Sequence, residues 1–275
     1  MLADTARRAE DLIASKIRQD VSVPDLRRAL GAETRCWGRT MALRVPALPQ
    51  VTFCNKARGV NEDDVPHLDA MSAFFTDAGI TPTLEVWAGD ATDRLGATLA
   101  GRGLYAGTVT ATLHRHLDDT PAPTEPAGDQ PTVEELDPAD DGTDYLATLI
   151  GGYELATARP EERMMMHAAH DPATVRRYLA LVDGRPAAAA SLYLHADGAL
   201  LSGAATLTRY RRHGCQNALI TRRLADAAKV TDLAVVTTAY GSPSQANLER
   251  VGFHLTHTRT AWRPLHHSTI TDPCS

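Results

Sequence analysis

Cysteine is scarce in this chain, and its four cysteines lie far apart. They are Cys36, Cys54, Cys215 and Cys274, and no Cys-x-x-Cys pair occurs. Structural zinc sites use closely spaced ligand pairs, and secreted disulfide-bonded domains use regular sets of cysteines. The scattered arrangement argues against structural zinc and favours a reducing cytoplasm. We therefore expect a cytoplasmic protein without a metal cofactor.

Long apolar runs and a surplus of positive charge are also missing. No stretch approaches the roughly 20 consecutive apolar residues of a membrane-spanning helix. The first residues, MLADTARRAEDLIASKI, predict an amphipathic helix and not a signal peptide. A formal net charge of −6 over 275 residues leaves no broad basic field for nucleic acid. The composition predicts an ordinary soluble protein of one or two domains, with neither a membrane nor a nucleic acid as partner.

One basic turn, from Thr208 to Leu219 (TRYRRHGCQNAL), is the most informative segment. It follows an apolar, strand-like run and opens a segment with helical spacing of apolar residues. Free N–H groups and the helix dipole at a helix start favour an anion, and Gly214 lets the backbone approach it closely. Arg211, Arg212 and His213 add positive charge. The turn is therefore a candidate phosphate site.

This turn differs from two common phosphate loops and resembles a third. No Gly-Lys-Ser/Thr follows it, as in a Walker loop, and it lacks the Gly-x-Gly-x-x-Gly of dinucleotide-binding folds. It resembles the acyl-CoA pyrophosphate loop of the GNAT N-acetyltransferases, whose pattern is Gln/Arg-x-x-Gly-x-Gly/Ala. The matching residues are Arg211 to Gln216 (RRHGCQ), with Gln216 where the family usually has a small residue. Taken alone, the pattern also fits a basic turn before an ordinary helix.

A second segment favours the family resemblance. Residues 233–239 (LAVVTTA) predict a strand, and the turn at 241–244 (GSPS) has residues typical of a helix start. A short helix at 245–250 then ends at Gly252 and Phe253. This order resembles the GNAT segment that wraps the pantetheine arm. The two motifs occur in the family order about thirty residues apart, and the resemblance covers Pro131 to about Pro264.

The resemblance implies an α+β fold with two GNAT-like mixed β-sheet domains flanked by helices. We predict a degenerate N-terminal domain at residues 1–118, a linker at 119–131 and a complete GNAT domain at 132–275. Four prolines and several acidic residues mark the linker. The complete domain should contain one strand, two helices, three antiparallel strands, then helix, strand, helix and strand. Asp-Gly pairs at 183–184 and 197–198 predict its hairpin turns.

An internal repeat suggests why the first half is degenerate. Residues 84–104 and 233–253 align without gaps, although two generic strand–helix–strand units can also match by chance. With the same offset, the basic loop falls on residues 62–67 (EDDVPH). Three carboxylates there would repel a pyrophosphate. We therefore expect only the C-terminal half to bind cofactor.

The resemblance also implies an acyl-CoA donor, most directly acetyl-CoA, and a set of residues that bind it. The backbone of Ala205, Thr206 and Leu207 should hold the pantetheine arm. The remaining predicted cofactor-binding residues are Arg211, Arg212, His213, Gly214, Cys215, Gln216, Asn217 and Asn247. Cys215 follows Gly214 at the helix start, a position that can lower a thiol pKa. We expect it to face phosphate and not to act as a nucleophile.

The usual acid and base of the family are absent. The position of the general-base Glu in some members is Leu200, and the position of a frequent catalytic Tyr is Leu248. Ser244 and Tyr240 remain as candidate catalytic residues, Ser244 through a water relay. Both also have an ordinary interpretation, as a helix-start residue and a surface tyrosine. His167 and His170, in a methionine-rich helix, are either a base beside an apolar pocket or exposed histidines.

These observations leave three functional hypotheses. The first is an enzyme, an acyl-CoA-dependent N-acyltransferase acting on a small-molecule or peptide amine by direct transfer. The second is a non-catalytic acyl-CoA-binding module, favoured by the missing Glu and Tyr. The third is an acyltransferase whose donor is bound to a carrier protein. Such a donor lacks the nucleotide, so the basic pyrophosphate loop argues against the third.

Overall fold

The computed structural model describes residues 2–117, 131–155 and 159–265. The chain folds into two compact units. Unit 1 comprises residues 1–29 and 111–257, and unit 2 comprises residues 30–110 and 258–275. The predicted linker lies outside the described residues except for its last position, so the linker and the domain boundaries beside it stay predictions.

Eight α-helices and eleven strands are present in the described ranges. The helices are α1 (Leu2–Asp20), α2 (Pro24–Leu30), α3 (Leu68–Thr76), α4 (Asp93–Gly101), α5 (Thr143–Gly152), α6 (Pro160–Ala169), α7 (Cys215–Ala227) and α8 (Pro243–Arg250). The strands are β1 (Glu33–Trp37), β2 (Thr40–Arg44), β3 (Lys56–Arg58), β4 (Leu84–Trp87), β5 (Leu104–His116), β6 (Thr132–Glu135), β7 (Arg176–Val182), β8 (Arg185–His195), β9 (Gly198–Thr206), β10 (Leu233–Ala239) and β11 (His254–Pro264). None of these helices is long and apolar enough to cross a membrane.

Unit 1 contains the predicted succession of elements from β6 to β11. Its strand order is β11-β5-β10-β9-β8-β7-β6. Neighbouring strands from β6 to β9 are antiparallel, whereas β9 and β10 are parallel. The sheet is therefore mixed and flanked by helices, which confirms the predicted α+β class.

Small side chains in β8 let helices pack closely on both faces of this sheet. Ala187 to Ala190 are fully buried. Because side chains alternate along a strand, Ala188 and Ala190 pack with Leu219 of α7, while Ala189 packs with residues of α5. A strand covered on both faces has a continuous apolar sequence, and β8 follows this pattern.

Helix α1 belongs to unit 1, although the sequence places it in the predicted N-terminal domain. Leu12 and Ile13 pack against Leu200 of β9 and Leu233 of β10. On another part of the helix, the buried Glu10 accepts a hydrogen bond from Thr112. Helix α1 thus provides part of the core of unit 1.

Unit 2 has a sheet of strand order β1-β2-β3-β4-β11-β5. Its core is built around Phe74 and Phe75 of α3 with Leu84 of β4 and Leu99 of α4. The repeated segments have the same local structure, β4-α4-β5 in the first half and β10-α8-β11 in the second. In unit 2, β11 of the second repeat lies between β4 and β5 of the first repeat. In unit 1, β5 of the first repeat lies between β10 and β11 of the second repeat.

We predict that Leu12→Ala destabilises unit 1. The Leu12 side chain is fully buried, so its removal should lower the free energy of unfolding by about 2–5 kcal/mol through lost burial and a residual cavity. Urea titration followed by circular dichroism measures the change. Asp11→Ala, at an exposed position of the same helix, is the matched control and should change stability by less than about 0.5 kcal/mol. Equal stability of the two variants would contradict the assignment of α1 to this core.

Candidate functional site

The N-terminus of α7 presents an uninterrupted set of free N–H groups. Gly214, with φ of 80°, is the N-cap residue, and Arg212 also has a positive φ of 69°. The first helical bond runs from the Ala218 N–H to the Gly214 carbonyl at 3.0 Å. Within the described ranges, the backbone N–H groups of residues 212–217 have no hydrogen-bond partner. Such a set, at the positive end of a helix dipole, is suited to bind a phosphate.

Strands β9 and β10 separate beside this helix. They pair from Ala199 to Leu201 of β9, and no pairing between them continues to the end of β9 in the described structure. The register between β8 and β9 shifts at Ala189 and Ser191, where Gly203 has a φ of 50°. The last residues of β9 therefore have a backbone edge that faces no neighbouring strand on the β10 side.

A cleft of about 810 Å³ joins the open edge of β9 to the start of α7. The predicted site residues that line it are Ala205, Thr206, Arg211, Arg212, Gly214, Cys215, Gln216, Asn217, Asn247 and Ser244. Leu207, His213 and Tyr240 are absent from its lining. Ten residues predicted from two separate motifs therefore line one cleft.

The Leu207 backbone and the His213 ring make hydrogen-bonding contacts within the protein. The Leu207 N–H donates to the Ala187 carbonyl at 2.9 Å, and the Leu207 carbonyl accepts from the Tyr210 N–H at 2.8 Å. Each of the two Leu207 backbone groups therefore has a partner within the protein, and the role of Leu207 in holding pantetheine stays a prediction. The exposed His213 ring contacts the Arg211 carbonyl at 3.0 Å through Nδ1.

Gln216 connects the two helices that border the cleft. The Asn247 Nδ2 of α8 donates to the Gln216 Oε1 of α7 at 2.8 Å. A small residue at position 216 has no side-chain acceptor for this bond. The departure from the family pattern therefore has a structural role, because it fixes α8 against the first turn of α7.

Arg211 is held at the surface by Glu154. Glu154 Oε1 accepts from Arg211 Nη2 at 2.7 Å and from Thr208 Oγ1 at 3.1 Å. Both hydrogen bonds lower the pKa of Glu154, and the bond from Arg211 has the larger effect. The contact positions the basic side chain at the rim of the cleft, and both side chains remain more than half exposed.

The Cys215 thiol is part of the core. Only 1% of the residue is exposed, and its side chain packs in the cluster with Leu219 and Phe253. Burial raises the pKa of this thiol, so the suggestion from its helix-start position that the pKa is lowered is wrong. Cys215 contributes its backbone N–H to the cleft, not a thiolate.

Seven residues of the lining were not among the predicted site residues: Gly152, Tyr153, Ala204, Tyr210, Leu219, Pro243 and Arg223. Gly152 allows α5 to end against β9, because a Cβ there would lie 2.7 Å from the Ala205 Cβ. Arg223 is 2% exposed. Its helical spacing from Leu219 and Ala227 is the signal that would have placed it on the buried face of α7.

No family model matches the sequence, and no curated protein matches it. A GCN5-related N-acetyltransferase from Kribbella flavida has a TM-score of 0.63 at 21% identity, covering 92% of this chain and 97% of that chain. One from Sphaerobacter thermophilus has a TM-score of 0.60 at 14% identity, covering 82% of this chain and 79% of that one.

A tandem GNAT protein from the clavulanic acid biosynthesis pathway is also similar. Its TM-score is 0.57 at 18% identity, and the match covers 83% of this chain and 80% of that protein. The chain has the tandem GNAT fold. This confirms the predicted fold, and the internal repeat supports the tandem arrangement.

The two positions of the usual GNAT acid and base are filled by core leucines. Leu200 is 7% exposed and packs against Leu12 of α1, and Leu248 is 3% exposed and packs in the cluster with Phe253. A carboxylate or phenol at either position would need a partner inside the core. Packing therefore accounts for the absence of both groups.

Neither His167 of α6 nor His170, which follows the helix, lines the cleft as a catalytic base. His167 is exposed, whereas His170 is buried and its Nδ1 lies 2.8 Å from the Tyr145 hydroxyl. Burial lowers the pKa of His170 to about 3, so its ring is neutral. A Cβ at Gly203 would lie only 2.0 Å from the His170 Cε1. His170 therefore packs behind the irregular part of β9 and is not an exposed histidine.

Ser244 and Tyr240 have different environments. Ser242 is the N-cap residue of α8 and accepts from the Gln245 N–H at 3.2 Å, so Ser244 is not needed for capping. The half-buried Ser244 lines the cleft, and its hydroxyl has no partner in the described part of the chain. Tyr240 is 56% exposed.

We predict that Ser244→Ala lowers the rate of acyl transfer less than tenfold. A hydroxyl that acts only through water lacks the driving force of a strong general acid, which typically contributes about 10²–10⁴-fold. Tyr240→Phe, outside the cleft, is the control and should also lose less than tenfold. Steady-state kinetics with saturating acetyl-CoA measure both variants. A thousandfold loss in either, with acetyl-CoA affinity intact, would identify that residue as a strong acid.

Proposed function

We propose that this protein is an acyl-CoA-dependent N-acyltransferase that transfers an acyl group, most directly acetyl, to a small-molecule or peptide amine. The observation that carries the proposal is the common cleft, which joins the free N–H groups of residues 212–217 to the open edge of β9. The similar solved structures are described as N-acetyltransferases. The cytoplasm is the proposed location.

The cleft has the groups needed to hold an acyl-CoA. The N–H groups at the start of α7 bind the pyrophosphate, and Arg212 adds charge beside them. The open edge of β9 at Ala205 and Thr206 provides backbone groups for the amide-containing pantetheine arm. Asn247 of α8 also lines the cleft.

Positioning dominates the proposed reaction. The neutral amine attacks the thioester carbon, the carbon–sulfur bond breaks, and the thiolate leaves with the bonding electron pair. The ammonium product loses its proton to water. Holding the two reactants together supplies much of the acceleration, and the core leucines at positions 200 and 248 imply modest acid–base assistance and slow turnover.

A non-catalytic acyl-CoA-binding module is the second candidate. It is favoured by the burial of Leu200 and Leu248, which leaves both usual catalytic positions without a titratable group. A carrier-protein-bound donor is less compatible with the cleft. Such a donor lacks the nucleotide and has one phosphodiester in place of the pyrophosphate, so it would use only part of the six free N–H groups of the loop.

We predict that Gly214→Glu abolishes acetyl-CoA binding and acyl transfer. The substitution places a like charge and extra bulk where the pyrophosphate approaches the backbone. Gly184→Glu is the matched control, because Gly184 has a similar positive φ of 70° and lies in the exposed turn between β7 and β8.

Calorimetry measures binding, and release of free thiol from acetyl-CoA with a panel of amines measures transfer. Retained affinity in a folded Gly214→Glu variant would contradict the proposed site. Tight binding by the natural protein without amine-dependent thiol release would favour the non-catalytic module.

The equivalent loop in the first repeat is closed by its own side chains. Residues 62–67 form a short 3-10 helix with Asn61 as N-cap. The Asp63 N–H donates to the Asn61 Oδ1 at 3.1 Å, and the buried Asp64 accepts from the Asn61 N–H and from Thr40. With Glu62 beside them, these carboxylates leave no place for a phosphate.

We therefore predict one acetyl-CoA site per chain. Isothermal titration of the full-length protein should give a stoichiometry near one, and Gly214→Glu should remove the whole signal. Asp63→Asn, at the equivalent loop, should leave the stoichiometry unchanged. A stoichiometry of two would show that the first repeat also binds the cofactor.

A further inference from the structure

The side chain of Arg223 combines deep burial with access to the cleft. It lies in α7, is 2% exposed and is among the residues that line the cleft. Its Nε donates to the Leu219 carbonyl at 3.1 Å, and its Nη1 donates to the carbonyls of Ser191 at 3.0 Å and Ser202 at 3.4 Å. The Nη2 has no partner within the described ranges, so it is the nitrogen available to a ligand.

No carboxylate neutralises this guanidinium. All of its partners are backbone carbonyls, and in the described part of the chain no acidic side chain lies within ion-pair distance. The titratable side chains whose charge affects it are Tyr145, Tyr178 and Tyr153. Burial lowers the pKa of Arg223 to about 10, so the side chain stays charged at neutral pH.

Other buried cations of unit 1 have acidic surroundings. Lys16 pairs with Asp20 in α1. Arg177 bonds to the carbonyls of Asp137 and Asp140, in a loop that also carries Asp141. A buried charge is costly unless it is paired. Arg177 is also bonded only to backbone carbonyls, but its charge interacts with that of Asp141, whereas no acidic side chain acts on Arg223. A bound ligand can supply the missing anion.

The pyrophosphate does not supply that anion. Arg223 lies eight positions after Cys215, or about 12 Å along the helix from the N–H groups of the loop. The pantetheine arm between the pyrophosphate and the thioester carries no charge. The adenosine 3′-phosphate of CoA lies beyond the pyrophosphate, and the thiolate forms only during the reaction. The acyl group and the amine acceptor remain as sources of an anion in the bound substrates.

We propose that Arg223 recognises a carboxylate, carried either by the acyl group of the donor or by the amine acceptor. This inference rests on the proposed function and narrows its substrate class. The Nη2 group donates to the carboxylate, and Tyr153, which lines the same cleft, adds a neighbouring hydroxyl. A charge-assisted hydrogen bond of this kind makes a neutral analogue a markedly poorer ligand.

The natural protein tests the proposal with matched ligand pairs. Succinyl-CoA is compared with butyryl-CoA, which has the same four-carbon chain without the carboxylate. α-Amino acids are compared with their amides as acceptors of acetyl groups. One of the two pairs should show a preference of about ten- to hundredfold for the carboxylate, and that pair identifies the source of the anion. Equal binding and turnover within both pairs would overturn the proposal.

Variants of α7 test whether Arg223 is responsible. Arg223→Gln should remove the preference, and Arg223→Lys should retain part of it. Arg222→Gln is the control, because the neighbouring Arg222 lies outside the cleft and pairs with Asp226. A preference that survives in Arg223→Gln, or an equal loss of turnover for all ligands, would overturn the assignment.

If Arg223→Gln fails to fold, the comparison of ligand pairs on the natural protein still tests whether the protein prefers a carboxylate. Absence of acetyl-CoA binding in the natural protein would refute the proposed function itself. Normal acetyl-CoA binding without a carboxylate preference would refute the role of Arg223 alone.

Discussion

The separation of β9 from β10 is the feature on which the candidate site depends. Beyond Leu201 the two strands no longer pair, and the polar backbone of Ala205 and Thr206 borders the cleft. An unpaired backbone edge inside a protein is costly unless a ligand or water satisfies it. The irregular backbone at Gly203, supported by the buried His170, accompanies this opening. The loop before α7 then places its free N–H groups beside the same cleft.

Much of the fold was predictable because short sequence patterns specify its individual elements. The Asp-Gly turns, the apolar run of β8 and the Ser-Pro start of α8 each specify one element. The candidate phosphate loop was equally predictable, since an anion site at a helix N-terminus needs only a glycine, basic neighbours and a following helix. Contacts between distant segments were not predictable. Nothing in a single sequence shows that α1 packs on Leu200, or that Glu154 holds Arg211.

The differences between expectation and structure concern individual residues, and each has a local physical cause. The Cys215 pKa was assessed from the helix dipole, but burial has the larger effect. Leu207 was assigned to pantetheine by position, although its backbone groups bond within the protein. Arg223 was missed because charge patterning predicts surface residues, whereas this arginine bonds to carbonyls in the interior. The site thus combines predictable backbone geometry with side-chain environments that only the folded chain reveals.

The exchange of strands between the two repeats has a consequence for biosynthesis. Unit 1, which contains the cleft, includes residues 1–29 at the start of the chain and the first part of β11 near its end. Its sheet therefore cannot be completed on the ribosome until all residues up to position 257 have emerged. Pairing between such distant segments slows folding because loop-closure entropy is lost first. Neither half of the sequence contains all the segments of unit 1. If the chain were divided at the predicted linker, the two polypeptides would have to associate to form that unit.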